Sequence, residues 1–468
     1  MHLSPLHTKS YTKAALRDPK LRTAVDKATA SSLVSRQALV DQMPYWQELR
    51  SKAHSIKKEV IENLGDYLVE FEVNCRKNGI QVHWAVDAAE ARKIISDIAE
   101  AKGARKIVKS KSLTTEEIEL NDYLQQRGME VLETDLGEYI IQLMGQTPSH
   151  LIIPAIHLSR QDVGKLFAEK LGVEYTEDPT TLLKIARARL RENFLAADMS
   201  ITGVNFAIAK EGCFCIVENE SNAHHCISLP KIQVAVMGIE KLLPDFAALP
   251  YFLKLLPVSA TSQKSSTYVN FIGGPTAPKY GEGPEEIHIV LLDNGRSRIA
   301  CDPQLRETLF CIRCGACLNI CPIYQQIGGH AYGWVYMGPI GITLIPQYLS
   351  EAEGRYSPFL SSLCGACYEI CPVKINIPRH LLKLRNRVVE SSESKRFEKL
   401  GIAFWAYLAR HPLFYRMATW LPGKMQQLLP KNVSFPAPGY TRHRAIGRFD
   451  SQGFRKRFRQ WKKEHNDY

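Results

Sequence analysis

The period of the hydrophobic positions changes along the chain and divides it. Up to about residue 64 apolar residues recur at three- and four-residue steps, as in QALVDQMPYWQELRSKAHSIKKEVIENLGDYL, which predicts charged amphipathic helices over 1–64. From about 65 to 297 short apolar runs take over: IQVHWAV, KIVKS, MEVLETD, HLIIPAI, GVNFAIA, FCIVEN, QVAVMGI and EIHIVLLDNG. Helical stretches such as AAEARKIISDIAEAKGA and TEEIELNDYLQQRGM lie between the first of these. Strand-length runs alternating with helices predict a layered α/β domain on a largely parallel sheet. Residues 298–392 form a cysteine-bearing module. The tail, 393–468, holds an apolar helix pair (FEKLGIAFWAYLARHPLFYRMATWLP), a proline-rich connector (PAPGYTRH) and a basic end.

Seven of the twelve cysteines lie between positions 311 and 371 of that module, in two runs. CIRCGACLNICP places Cys311, Cys314, Cys317 and Cys321 at the C-x2-C-x2-C-x3-C-P spacing of a cluster-binding ferredoxin loop. SSLCGACYEICP places Cys364, Cys367 and Cys371 at the same rhythm with one cysteine missing, because Ser361 stands at its first position. Two-residue gaps let successive thiolates curl around one cubane. The three-residue gap starts a helical turn that aims its cysteine at a second cluster, and the fixed backbone angle of the following proline sets its direction. One 4Fe–4S cluster would then take Cys311, Cys314, Cys317 and Cys371, and the other Cys321, Cys364 and Cys367. The fourth bond to the second remains open between the Ser361 alkoxide, an outside thiol such as Cys301, water, and a three-iron cluster. Zinc would not need this rhythm or its trailing prolines, and nothing points to the oxidising compartment that a disulfide framework requires. The 42 residues between Cys321 and Cys364 are too many for a compact bacterial ferredoxin and suit an α-helical two-cluster module.

Charge adds little. The net charge is +12, partly from FRKRFRQWKKEH at the end, but no nucleic-acid module accompanies it. The first twenty residues contain no secretory core, and no stretch of about 18 apolar residues occurs, so a cytoplasmic, soluble chain is expected.

The chain resembles the lactate utilisation protein B family, the iron–sulfur member of a three-protein bacterial L-lactate oxidation system. The resemblance rests on KIVKSKSLTTEEI (106–118), ETDLGEYIIQL (133–143), PSHLIIPAIH (148–157), ITGVNFAIA (201–209), LPKIQVAVMGIEKLLP (229–244), GPEEIHIVLLDNGRS (283–297) and both cysteine runs. It implies that 65–297 is a lactate-utilisation domain, similar in fold to ribose-phosphate isomerase and CoA-transferase-like proteins, followed by the two-cluster ferredoxin-like module. It also implies a non-catalytic electron-transfer component of an L-lactate-to-pyruvate complex. Its partners would be a cysteine-rich subunit and a second lactate-utilisation-domain protein. Some family members carry a cysteine where Ser361 stands.

Other residues admit two readings. Lys109, Ser110, Lys111 and Ser112 join a strand to a helix, where helix-start amides and lysines could hold an anion or simply be capped and solvated. Glu138 could be a buried structural carboxylate or an acid/base. Asn205 and Glu211 flank a turn that could bind a ligand or be a plain hairpin. His224, His225 and Cys226, with Cys213 and Cys215 nearby, could hold a metal, although C-x-C in a strand also places both thiols on one face of ordinary core. No dinucleotide fingerprint, P-loop or nucleophile elbow is present. The alternatives to electron transfer are an oxidoreductase subunit whose α/β domain binds an organic acid itself, and a redox-sensing scaffold. Aromatic residues Phe404, Trp405, Tyr407, Phe414, Tyr415 and Trp420, then Phe454, Phe458 and Trp461 among Arg455, Lys456, Arg457, Arg459, Lys462 and Lys463, suit either packing or docking on a partner or membrane surface.

Overall fold

The structure is a computed structural model and describes residues 3–276, 283–391, 396–427 and 453–465. Ten strands form among them: β1 Gln81–Ala85, β2 Lys106–Lys109, β3 Glu130–Glu133, β4 Met199–Gly203, β5 Phe206–Ile208, β6 Cys213–Glu218, β7 Ile232–Gly238, β8 Leu242–Leu243, β9 Tyr268–Ile272 and β10 Glu286–Leu292. Along β7 and β10, Val234, Val236, Val290 and Leu292 alternate with Ala235, Met237, Ile289 and Leu291, and all eight are fully buried. A strand sends successive side chains to opposite faces, so this pattern requires a sheet covered on both sides. It belongs to a six-stranded sheet in the order β1-β10-β7-β4-β2-β3, with every pairing parallel. The register sets Ile201 beside Val234, and Val236 beside Val290. A second sheet, β8-β5-β6-β9, mixes parallel and antiparallel pairs.

One face of the main sheet is covered by the helix Ala88–Ala101, through Ala91, Ile95 and Ala99, and by Leu120 and Leu124. The opposite face shares one continuous core with the second sheet, the N-terminal helices and the cysteine module, so Val60, Phe71, Phe252, Leu309 and Tyr324 belong to the same cluster. The N-terminal helices are Thr8–Ala15, Pro19–Val40, Trp46–Glu62 and Leu64–Lys77, so the helical segment runs beyond residue 64. Asp18 starts the second by accepting the amides of Lys20 and Leu21 at 2.9 and 3.1 Å, with Pro19 pre-set at the first turn.

Two stretches depart from the sequence reading. HLIIPAI forms turns rather than a strand. Its apolar character comes from burial, since Leu151 and Ile156 join the shared core. TEEIELNDYLQQRGM is broken at Glu119, whose φ of 50° ends one short helix, Leu113–Glu117, before another begins at Leu120.

The cysteine module has no strand among its described residues. Its helices are Ala316–Asn319, Pro322–Ile327, Gly338–Tyr348, Glu351–Gly354, Ala366–Ile370 and Ile377–Glu390. The long insert folds inward as Gly338–Tyr348, which is buried along nearly its whole length. The chain falls into two compact units, Met1–Asn386 and Arg387–Tyr468. The second contains the helices Arg396–Arg410, Pro412–Gln427 and Gly453–Glu464. The PAPGYTRH connector and the side chain of Arg455 lie outside the described residues. No helix among the described residues is long and apolar enough to cross a membrane.

Candidate functional site

The two cysteine runs adopt the same backbone. In the first, Arg313 and Gly315 take the left-handed conformation, with φ of 60° and 73°; in the second, Leu363 and Gly365 take it, with φ of 57° and 88°. Glycine adopts this shape freely. For Arg313 and Leu363 it costs on the order of 1–3 kcal/mol, a strain that marks a loop shaped for something other than its own stability. The turn folds the amide of residue 313 back onto Cys311 Sγ at 3.4 Å. In the second run the Leu363 amide donates to Ser361 Oγ at 3.1 Å. Ser361 therefore occupies in its loop the place that Cys311 occupies in the other.

All twelve cysteines are free thiols. Cys314 is pushed up to about 12, first by burial and then by the Cys371 thiol, against the Ala316 amide. Cys317 is raised well above the ordinary thiol value, by burial and then by the thiols of Cys311, Cys314 and Cys367, while the Ile340 amide opposes. Cys371 rises to about 11 through burial, with the amides of Ile375 and Val373 pulling down and Cys311 pushing up. Cys321 is raised by burial and by Cys364, against the amides of Tyr324 and Ile323. Cys367 is pushed up to about 12 by burial, then by Cys321 and Cys364. Cys371, from the second run, thus lies near Cys314 and Cys311 of the first run, while Cys367 is within reach of both Cys317 and Cys371. Cys321 lies with Cys364 and Cys367. The exposed Cys301 is not among the thiols that act on Cys321 or Cys367.

Iron–sulfur ligation fits these thiols on two grounds. Buried thiols that raise one another's pKa ionise only against added positive charge, and each set has backbone amides aimed at sulfur, the hydrogen bonds that tune cluster thiolates. The Ile375 amide, for example, reaches Cys371 Sγ at 3.4 Å. Among the described residues no three His, Cys, Asp or Glu side chains are grouped as the ligands of one metal ion. Around tetrahedral zinc, thiolates would stand roughly 3.8 Å apart.

The spacing of the cysteines gave no hint of the side chains that hold the second run. Arg50 donates through Nε to the Cys371 carbonyl at 2.9 Å and through Nη2 to that of Tyr368 at 3.2 Å. Arg36 donates to the Ile370 carbonyl at 3.0 Å, and His54 Nδ1 lies 2.9 Å from the Val373 carbonyl. One sequence signal existed. Trp46, Arg50, Ala53, Lys57 and Val60 fall on one helical face, so two charged residues sit in the apolar phase, and all five are buried.

A buried ionic network joins the α/β domain to the first cysteine loop. Arg296 binds Glu117 at 2.7 Å and Glu240 at 2.6 Å, and Arg313 reaches Glu240 at 3.4 Å. Tyr336 donates its hydroxyl to Glu117 at 2.7 Å. His150 Nε2 meets Asn319 Oδ1 at 3.0 Å, and a Cβ at Gly315 would come within 3.1 Å of the same imidazole.

The remaining candidates separate. Lys109 is fully buried against Glu133 at 2.7 Å and Glu116 at 3.1 Å, so it is committed to carboxylates and not to an anion. Ser112 caps the following helix, and Lys111 donates to the Ile152 carbonyl at 2.6 Å. Glu138 is buried, its carboxyl raised well above the ordinary range by burial, and its Oε1 has no partner. Asn205 accepts the Val217 amide at 2.9 Å, whereas Glu211 lies at the β5–β6 turn with its carbonyl bound to Asn78. Cys213 and Cys215 are core residues of β6. His224 pairs with Asn270 at 2.9 Å, His225 packs on Phe194, and Cys226 is buried near Thr134.

Three family models match the chain: the LUD domain over residues 68–292, a 4Fe-4S dicluster domain over 307–375, and Lactate utilisation protein B, C-terminal, over 382–465. Proteins named Lactate utilization protein B from Bacillus cereus (strain AH820), Bacillus thuringiensis (strain Al Hakam) and Bacillus anthracis (strain A0248) are each 40% identical over 96% of this chain and 95% of their own. A solved DUF162 family protein from Deinococcus radiodurans covers 49% of this chain and 98% of its own, at 13% identity and a TM-score of 0.27, too low to carry an argument.

Proposed function

The chain belongs to the lactate utilisation protein B family, and from that premise we propose that it is the electron-transfer member of an L-lactate-to-pyruvate oxidising system. It carries a 4Fe–4S dicluster domain. In this reading Cys311, Cys314, Cys317 and Cys371 hold one 4Fe–4S cluster, and Cys321, Cys364 and Cys367 hold a second, with Ser361 Oγ as the fourth ligand. Such clusters, when bound, take up and release single electrons. The observation that supports the assignment is the exchange of one cysteine between the two runs, with Cys371 acting on Cys314 and Cys364 acting on Cys321.

The chain's own residues give the two sets different surroundings. Around the first, Arg36 and Arg50 place buried guanidinium charge near Cys314 and Cys371, and Arg313 lies within the loop itself. Positive charge there stabilises an added electron. The second set opens to solvent at Cys364, which is exposed and placed to face a redox partner. Partners in this reading are the other lactate-utilisation proteins, a cysteine-rich subunit and a second protein with a LUD domain, in the cytoplasm. The basic, aromatic C-terminal helix serves as the docking element.

Anaerobic reconstitution with counting of iron and electron paramagnetic resonance tests the reading. Cys314→Ala and Cys371→Ala should remove the same signal, and Cys367→Ala the other. With the partner proteins present, L-lactate should reduce both clusters. Intact clusters that L-lactate never reduces in the assembled system would sink it.

A further inference from the structure

The strands of the main sheet end at a cavity of about 220 Å³, and this cavity belongs to neither thiol set. Its floor comes from the segments that follow three neighbouring parallel strands: Ser110 and Lys111 after β2, Asn205 after β4, and Lys241 after β7. Open parallel sheets bind ligands at this edge. One wall is made of Ile312 and Arg313, the two residues between Cys311 and Cys314. The cavity therefore touches the loop of the first thiol set directly.

Two of the residues that line it each carry a buried polar atom without a partner. Arg313 is 7% exposed, and while its Nη2 reaches Glu240, its Nη1 bonds to nothing. Ser110 is 2% exposed, and its Oγ is likewise unpaired. A buried donor left unsatisfied costs about 1–3 kcal/mol, so two among the residues around one cavity favour a ligand that accepts hydrogen bonds. Lys111 and Lys241 add positive charge, and Leu151, Ile152 and Leu256 supply an aliphatic wall.

We propose that this cavity binds a small organic monocarboxylate of the 2-hydroxy or 2-oxo acid class, with its carboxylate toward Arg313 and Lys241 and its carbon chain on the aliphatic wall. The class deepens the lactate reading above and rests on it. Polyphosphates suit the cavity poorly, because Asp135, Glu218 and Glu220 also line it. Asp135 follows β3, three strands along the sheet from β7, or roughly 14 Å from the Lys241 end. The charge at one end is thus answered by carboxylates at the other, and a single anionic head is matched where a string of them is not. An anion bound against the first cysteine loop disfavours an extra electron there. By reciprocity, reduction of that cluster weakens the anion's binding by the same factor.

The test uses the cluster-loaded full chain under anaerobic conditions. L-lactate, pyruvate and inorganic phosphate are each titrated by calorimetry, and the midpoint of each cluster is followed by potentiometric electron paramagnetic resonance. Both carboxylates should bind saturably and lower the midpoint of the cluster held by Cys314 more than that of its neighbour. Lys241→Met should weaken binding roughly tenfold or more, and the milder Ser110→Ala severalfold, with iron content unchanged. Phosphate binding without carboxylate binding overturns the proposal, as does carboxylate binding that neither variant weakens. If neither carboxylate binds while L-lactate still reduces both clusters in the assembled system, the cavity proposal fails and the electron-transfer reading stands.

Discussion

The Oγ of Ser361 accepts the amide of Leu363 at 3.1 Å, inside a left-handed turn that repeats the turn around Cys311. The oxygen is therefore already aimed where a fourth thiolate would be. An alkoxide or hydroxyl binds iron less firmly than thiolate, so the set of Cys321, Cys364 and Cys367 should shed iron first in air. Ser361→Cys should slow that loss, and Ser361→Ala should speed it or leave a three-iron signal. Equal lability of both clusters in all three proteins would show that the fourth bond comes from elsewhere.

Arg50 both clamps and charges the first thiol set. Arg50→Gln should lower that cluster's midpoint while leaving the other nearly unchanged. It should also cost about 1–3 kcal/mol in stability, because the carbonyls of Cys371 and Tyr368 lose a charged donor. Arg50→Lys should restore most of the midpoint and less of the stability, since an ammonium cannot span both carbonyls. A midpoint that does not move in Arg50→Gln would remove the electrostatic role.

Glu240 shares Arg296 with Glu117 and is the carboxylate that Arg313 reaches. Glu240→Gln removes one charge from a group of buried ones, a change that typically costs about 3–5 kcal/mol. Thermal unfolding should report a loss of that size, and a loss under about 1 kcal/mol would mean the network relaxes around the change.

Acid should unfold the protein in two stages. Burial holds His150 down at about 3, against an ordinary 6.5, and its Nδ1 accepts the amides of Ile152 and Ile153 at 3.0 and 3.1 Å. The folded state thus refuses a proton that the unfolded state takes. Stability falls by about 1.4 kcal/mol per pH unit from 6.5 down toward 3. Burial pushes Glu240 up, but Arg296, Lys241 and Arg313 outweigh it and hold the carboxyl at about 2. Its contribution is complete above 4.5 and disappears as pH falls toward 2. Denaturant midpoints measured from pH 7.5 to 3 should stay level above about 6.5, decline below it and steepen below about 4.5, and His150→Asn should flatten the upper part of the slope. An unchanged slope in that variant would assign the loss to other groups.

In the helix Gly453–Glu464, Phe454, Phe458 and Trp461 stack with ring centroids 5.7 and 5.9 Å apart, and all three are exposed beside Lys456, Arg457, Arg459, Lys462 and Lys463. Deleting residues 440–468 should leave both cluster signals intact and weaken lactate-dependent electron flow in a salt-sensitive manner. Loss of the clusters would instead make the tail structural, and unchanged turnover would leave it without a role.

Local features were legible in the sequence and long-range ones were not. The cysteine runs could be read because a cluster constrains residues two and three apart, and β7 and β10 because a doubly covered strand must be apolar throughout. The same rule failed at HLIIPAI, where a turn is apolar because Leu151 is buried in the shared core. Arg36 and Arg50 could not be assigned, since their partners lie 334 and 321 residues away and no local period encodes them. Lys109 looked available to an anion only because Glu133, 24 positions on, was not known to meet it.

The grip of Arg36 and Arg50 on the second cysteine run has a consequence for how the chain is made. At about 5–20 residues per second, the ribosome takes roughly 15–65 s to deliver Cys371 after Arg50 has emerged. Throughout that interval the helix Trp46–Glu62 lacks the carbonyls its guanidinium will hold, although Glu240 and Leu242, whose carbonyls accept Lys57, emerge earlier. Metal loading of the first thiol set must follow the release of both ends, so a stalled or truncated product would expose a sticky helix and a half-built set of thiols. Such a chain should depend on chaperones and on iron–sulfur assembly factors that act only once Cys371 has emerged.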